Sequence, residues 1–159
     1  MVIRPATEDD VPVLLELVAE LAAYEKEPEA ATGTRADYAA ALFPKDQSPA
    51  VTAFVAESDG KVVGMAIWFV TFSTWTARHG LWLEDLYVKP EHRGKGLGAD
   101  LMSALAQVCI RRGYPRMEWT VLDWNAPAIE VYRHIGAEPM NEWTTQRLTG
   151  SALADLASR

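Results

Sequence analysis

Cysteine is almost absent from this sequence: Cys109 stands alone, so no internal disulfide can form. The three histidines, His79, His92 and His134, are scattered without zinc-like spacing, and no metal is expected. Long apolar runs are missing as well. The longest covers residues 62–70 and contains Gly64, whereas a membrane-spanning helix needs about 20 apolar residues; no membrane association is expected. The opening Val2-Ile3-Arg4-Pro5 carries none of the charged, apolar and small-residue segments of a secretory leader, which makes a cytoplasmic location the expectation. Positive charge is scarce, with 15 Lys and Arg against 22 Asp and Glu, a net charge of −7. A nucleic-acid partner needs a basic face, so the balance argues against one and none is expected. A cationic small molecule suits the balance.

What is present has the make-up of a folded globule. With 49% hydrophobic and 23% charged residues, 159 residues suffice for one core and are too few for two ordinary domains, so one domain over 1–159 is expected. Residues 2–5 read as a short strand. Thr7 followed by Glu8, Asp9 and Asp10 opens a helix, and Val11, Leu14, Leu15, Val18, Leu21 and Ala22 keep the helical period to about Tyr24. Thr34 caps a short helix ending near Phe43. Residues 51–57 and 61–71, rich in β-branched and aromatic side chains, flank Ser58-Asp59-Gly60 and form a hairpin. A loop over 72–78 leads to a strand over 80–88. Leu97, Leu101, Ala104, Leu105, Val108 and Cys109 then make the apolar stripe of a helix closed by Gly113, with Cys109 a buried structural thiol. A strand over 117–121, a helix from Asn125 through His134 with Pro127 in its first turn, a strand over 144–148 and a short terminal helix with Leu153 and Leu156 complete the order. Hairpins combined with a single strand-helix-strand crossover define an α+β, or mixed α/β, class.

The segment with the most chemistry is Arg93-Gly94-Lys95-Gly96-Leu97-Gly98, three alternate glycines between a strand and a helix. Small residues let the backbone approach a ligand closely. The following helix offers unpaired N–H groups and the positive end of its dipole, and Arg93 and Lys95 add charge. Together these make a phosphate cradle. The spacing is not that of a Walker loop. Gly94, Gly96 and Ala99 do satisfy the letters of a dinucleotide fingerprint, with Asp123 roughly 25 residues on. The hairpin before the loop and the lone crossover after it oppose that reading, which stays as an alternative.

At this point the sequence resembles the GNAT acetyltransferase superfamily, whose Arg/Gln-x-x-Gly-x-Gly/Ala motif is matched by Arg93, Gly96 and Gly98. Ile3-Arg4-Pro5-Ala6-Thr7, Glu20-Leu21-Ala22-Ala23-Tyr24-Glu25, Leu83-Glu84-Asp85-Leu86-Tyr87-Val88 and Trp124-Asn125-Ala126-Pro127-Ala128 with Tyr132 resemble its spermidine/spermine N-acetyltransferase branch. The resemblance implies a mixed, splayed central sheet flanked by helices, acetyl-CoA as co-substrate, a small amine as acceptor and a homodimer. By the same resemblance, Leu86, Tyr87 and Val88 run beside the acetyl-pantetheine arm, and Arg93, Gly94, Lys95, Gly96, Leu97, Gly98 and Ala99 hold the pyrophosphate. Asn125, Ala126, Pro127 and Ala128 contact the pantetheine or nucleotide side. Tyr132 is the implied acid for the departing thiolate, and it lies two turns after Asn125 on the same helix face. Tyr24, Glu25, Glu84, Glu118, Trp119 and Thr120 line the implied amine site.

The chemistry is consistent with those roles. Attack on a thioester needs a neutral amine, a donor for the developing oxyanion and a proton for the thiolate. An amine with a pKa near 10.4 loses its proton at neutral pH at a cost of roughly 4–5 kcal/mol. Glu84 or Asp85 can hold the cation and pass its proton to water, although a carboxylate also favours the protonated amine; Glu84 is the one the resemblance points to. In a regular strand the two acids would face opposite sides. Three departures from the branch bear on specificity. Trp143-Thr144 stands where the branch has an acidic pair, Ala99 replaces a serine, and an insert between the second and third strands is cut to Ser58-Asp59-Gly60. The expected acceptor is thus a diamine, polyamine or thialysine-like primary amine. A non-catalytic acetyl-CoA-binding module is the remaining alternative.

Overall fold

The computed structural model describes residues 1–159, which divide into two compact units, Met1–Thr120 and Val121–Arg159. The first unit holds one five-stranded sheet in chain order, built from β1 (Val2–Pro5), β2 (Val51–Ser58), β3 (Lys61–Ser73), β4 (Arg78–Val88) and β5 (Met117–Trp119). The first four strands pair antiparallel and β5 joins β4 parallel. The parallel pair needs a crossover, supplied by helix α3 (Leu97–Arg112). Helices α1 (Val11–Tyr24) and α2 (Arg35–Leu42) connect β1 to β2. The mixed α+β class expected from the sequence is the one observed.

Local chemistry explains most boundaries. Asp59 and Gly60 both have positive φ, 52° and 73°, the backbone of a two-residue turn whose twist matches its hairpin. Thr34 and Asp37 form a reciprocal capping box at the start of α2. Gly113, at φ 66°, stops α3 by turning left-handed. The β3–β4 hairpin is tighter than the sequence suggests, because Phe72 and Ser73 stay in β3 and Arg78 begins β4.

Each face of the sheet is covered by its own helices. On one, Leu14 and Leu17 of α1 and Leu42 of α2 bury against Ala53, Val55, Met65, Ile67 and Tyr87. On the other, α3 carries buried Leu97, Leu101, Leu105 and Val108 along one stripe, and Arg112 lies 5.4 Å from the ring of Trp68. Cys109 is buried there, as expected.

The second unit contains α4 (Ala126–His134), capped by the Asn125 side chain accepting from the Ala128 amide at 3.4 Å, and α5 (Gly150–Ala157). Two strand expectations fail. Residues 144–148 belong to no ladder, and β5 ends at Trp119 instead of Val121. Both segments have strand-like side chains, but propensity supplies no partner, and a strand exists only where its backbone groups find one.

One polar knot ties β1 to the start of the helical connection. Arg4 grips Asp10 with two nitrogens at 2.7 and 2.9 Å and reaches Glu57 of β2 at 3.0 Å, while Asp10 also accepts from the Thr7 amide and hydroxyl. These donors hold the Asp10 carboxyl at a pKa of about 2, below its usual 3.8. A depressed carboxyl stabilises the fold above the unfolded pKa and loses that contribution as pH falls through the folded one. Asp10→Asn should therefore cost about 2 kcal/mol at pH 7, and the gap to wild type should narrow below pH 4. Urea unfolding at both pH values measures it.

Candidate active site

The site begins with an irregularity in β4. Ile67 of β3 pairs with Asp85 and its neighbour Trp68 pairs with Leu83, so Glu84 has no partner across the ladder. This is a β-bulge, which places two successive side chains on roughly the same side of a sheet. The strand therefore breaks the alternation expected from its sequence. Leu81 and Leu83 face α3, whereas Trp82, Glu84, Asp85 and Tyr87 share the face covered by α1 and α2.

The two acids differ in setting. Glu84 is exposed and accepts from Trp82 Nε1 at 2.9 Å. Asp85 is half-buried, and desolvation, reinforced by the charges of Glu84 and Glu25, lifts its carboxyl to about 6. Burial raises the Glu25 carboxyl too. Burial and the Asp85 charge raise the Tyr38 hydroxyl. A carboxyl raised in the folded state costs no stability below its unfolded value of 3.8 and destabilises the protein as pH climbs from there through about 6, by up to about 3 kcal/mol for a shift of this size. A cation beside Asp85 removes that penalty. Tyr38 also lines a cavity of about 230 Å³ with Leu15, Val18, Ala19, Ala31 and Gly33.

Beyond the acids the strand runs into the glycine loop. Gly94 and Gly96 take φ values of 73° and 88°, which side-chain-bearing residues rarely adopt, and Gly96 is the N-cap of α3. A methyl group built on Gly94, Gly96 or Gly98 meets no protein atom within 4 Å, so the loop's outer surface is open. Asp100 is the first α3 residue whose amide bonds back, to Gly96 O at 2.9 Å, which leaves the amides of Leu97, Gly98 and Ala99 as the helix's N-terminal donors. Lys95 is exposed at the same place and in no ion pair. Donors, dipole and one cation suit a pyrophosphate.

Arg93 is engaged differently from what its place in the motif suggests. Its Nε donates to Val88 O at 2.8 Å, and its guanidinium carbon lies 5.1 Å from the Tyr24 ring and 5.2 Å from the Tyr87 ring. Tyr24, Tyr87, Val88 and Arg93 are thus brought together, and Glu25 reaches Asp85 electrostatically. Leu86 faces the opposite side of the strand, opposite Ala66. Glu118 of β5 stands beside Trp82 on the acid face and pairs with Arg116 at 2.9 Å, whereas Trp119, beside Leu83, is on the α3 face. Thr120 lies just past the end of β5 and is exposed. In the second unit, Asn125 caps α4 over Ala126, Pro127 and Ala128, and Tyr132 is half-buried on that helix with its hydroxyl pKa raised by burial. Tyr38 escaped the sequence reading, because nothing in α2 links it to a strand met more than forty residues later.

A cradle for an anionic carrier at the end of a strand that bears paired acids is a group-transfer architecture, joining a phosphorylated donor to a cationic acceptor. Comparison with known proteins agrees. The acetyltransferase (GNAT) family model matches residues 16–137, and the chain belongs to this family. It is 34% identical over 100% of its length to thialysine N-epsilon-acetyltransferase of Bos taurus, covering 98% of that protein, and 28% identical over 95% to an L-ornithine N5-acetyltransferase of Arabidopsis thaliana, covering 85%. An integron cassette protein of V. cholerae has the same fold at a TM-score of 0.81, with 27% identity, 99% of this chain and 98% of that one covered. The family's reaction is acetyl transfer to an amine with acetyl-CoA as co-substrate. The dinucleotide reading of the glycines falls with this membership.

The geometry separates two of the loop's glycines. Gly96→Val forces a β-branched residue to positive φ beside the helix amides and should abolish acetyl-CoA binding. Gly98→Ala, within α3 and in open space, should keep binding and raise stability by about 0.5–1 kcal/mol. Calorimetric titration with acetyl-CoA and urea unfolding of both variants check the contrast.

Proposed function

We propose that the chain transfers the acetyl group of acetyl-CoA to the primary amine of a small, singly anchored cationic substrate, of the thialysine or short-diamine kind, by direct attack. Residues 1–159 act as one N-acetyltransferase domain in this reading. The observation that carries it is the acid pair at the β4 bulge, with Asp85 half-buried beside Glu84 and Glu25. Carboxylates held together at a cost to stability are explained by an ammonium group that neutralises them. The single anchor is supported by Trp143-Thr144, which stands where polyamine-acetylating relatives have a further acidic pair.

The chemistry divides among the groups named above. An ammonium group sits against Asp85 and Glu84, with Tyr24 and Glu25 at the end of α1 completing the pocket. Passing its proton to a carboxyl with a pKa of about 6 costs about 6 kcal/mol, more than release to water at neutral pH. The acids therefore bind and orient the amine, and water next to Glu84 carries the proton away. The amides of Gly98 and Ala99, with Lys95, hold the pyrophosphate, and the backbone at Val88 donates to the thioester carbonyl as tetrahedral charge develops. Tyr132, a phenol protonated at neutral pH and shifted further up by burial, protonates the leaving thiolate.

Thiol release from acetyl-CoA with thialysine, ornithine, short diamines and longer polyamines tests this reading. Amino-acid amines and short diamines should accelerate release more than polyamines do, and Tyr132→Phe should lower kcat by about 10²-fold with acetyl-CoA affinity kept. If no amine accelerates release, the substrate reading is wrong; unchanged turnover in the tyrosine variant removes that residue as the acid.

A further inference from the structure

Two residues one helical turn apart on α1, Glu20 and Tyr24, are both held by residues that flank the turn after β4. Lys89 Nζ bonds Glu20 at 2.9 Å, and Arg93 covers the Tyr24 ring at 5.1 Å. Side chains four apart lie on one face of a helix, so the last turn of α1 is fastened at two points. The Arg93 side chain is exposed at its outer edge, but its guanidinium lies over the Tyr24 and Tyr87 rings and its Nε donates to Val88 O. The family motif accepts glutamine at this position, a residue that can donate to a carbonyl and carries no charge for a phosphate.

We propose that Arg93 is a positioning residue that clasps the amine end of α1 to the start of the cofactor loop, a role that rests on the acetyltransferase reading above. The clasp sets Tyr24 and Glu25 relative to Val88, and through them the distance between the bound amine and the acyl group. Its charge serves the two tyrosine rings, and the pyrophosphate is left to Lys95 and the α3 amides. The loss of Arg93 therefore damages the amine side more than the cofactor side.

A double-mutant cycle tests the clasp without relying on turnover. The Arg93→Ala, Tyr24→Ala double variant should shift the urea midpoint by clearly less than the sum of the two single shifts, because both single changes remove the shared contact; additive shifts would show that no clasp exists. Acetyl-CoA affinity of Arg93→Gln, by titration, should stay within about 3-fold of wild type. A loss of 10-fold or more there would assign the charge to the pyrophosphate and overturn the proposal. In the enzyme assay, Arg93→Ala should raise the amine KM about 10-fold with the acetyl-CoA KM changed less than about 3-fold, and Arg93→Gln should recover part of the loss; the reverse split contradicts it. Failure of the functional reading looks different, since wild-type protein then releases no thiol with any amine while the unfolding cycle and the titration still report on the clasp.

Discussion

The extra residue in β4 is the constraint on which the rest of the site depends. Without the bulge at Glu84, the pleat would send Glu84 and Asp85 to opposite faces, and one acid would lie among the apolar side chains under α3. With it, Leu81 and Leu83 still fill the α3 core, while both acids and Tyr87 belong to the α1 and α2 face. The same strand thus builds a core on one side and the proposed cation site on the other. Beyond the bulge, its last residues run directly into the loop that caps α3, which puts the acids and the anion cradle at successive positions of one chain segment.

The electrostatic problem posed by a net charge of −7 is solved locally. Of the two cations in the glycine loop, Arg93 lies against aromatic rings and a carbonyl, and in the proposed reading the backbone donors and Lys95 are left to the anionic carrier. Neutral donors serve well here because the dipole of α3 points at them and their geometry is fixed by Gly94 and Gly96. The negative charge is concentrated instead where a cation belongs. Burial, reinforced by the charges of Glu84 and Glu25, brings the Asp85 carboxyl to about 6, a strain that a bound ammonium relieves.

Much of this was legible in the sequence, for reasons that are local. The stripes of α1 and α3, the Thr34 and Asn125 caps, the Asp59-Gly60 turn and the glycine loop all follow from residues within a few positions of one another. What escaped depends on partners distant in sequence. A bulge is a property of register, so the letters Leu-Glu-Asp-Leu read as regular alternation. Residues 144–148 carry strand-like side chains without a ladder to join, and the contacts of Arg93 with Tyr24 and Tyr87 arise only once α1 packs on the sheet. Tyr38 met Asp85 in the same way.

If the bulged acid pair is the seat of the ammonium group, the pH dependence of amine binding follows the ionisation of Asp85. On protein saturated with CoA, amine affinity should rise as pH increases through about 6, where Asp85 ionises, and this rise should be absent in Asp85→Asn. Identical pH profiles for wild type and variant would contradict the account.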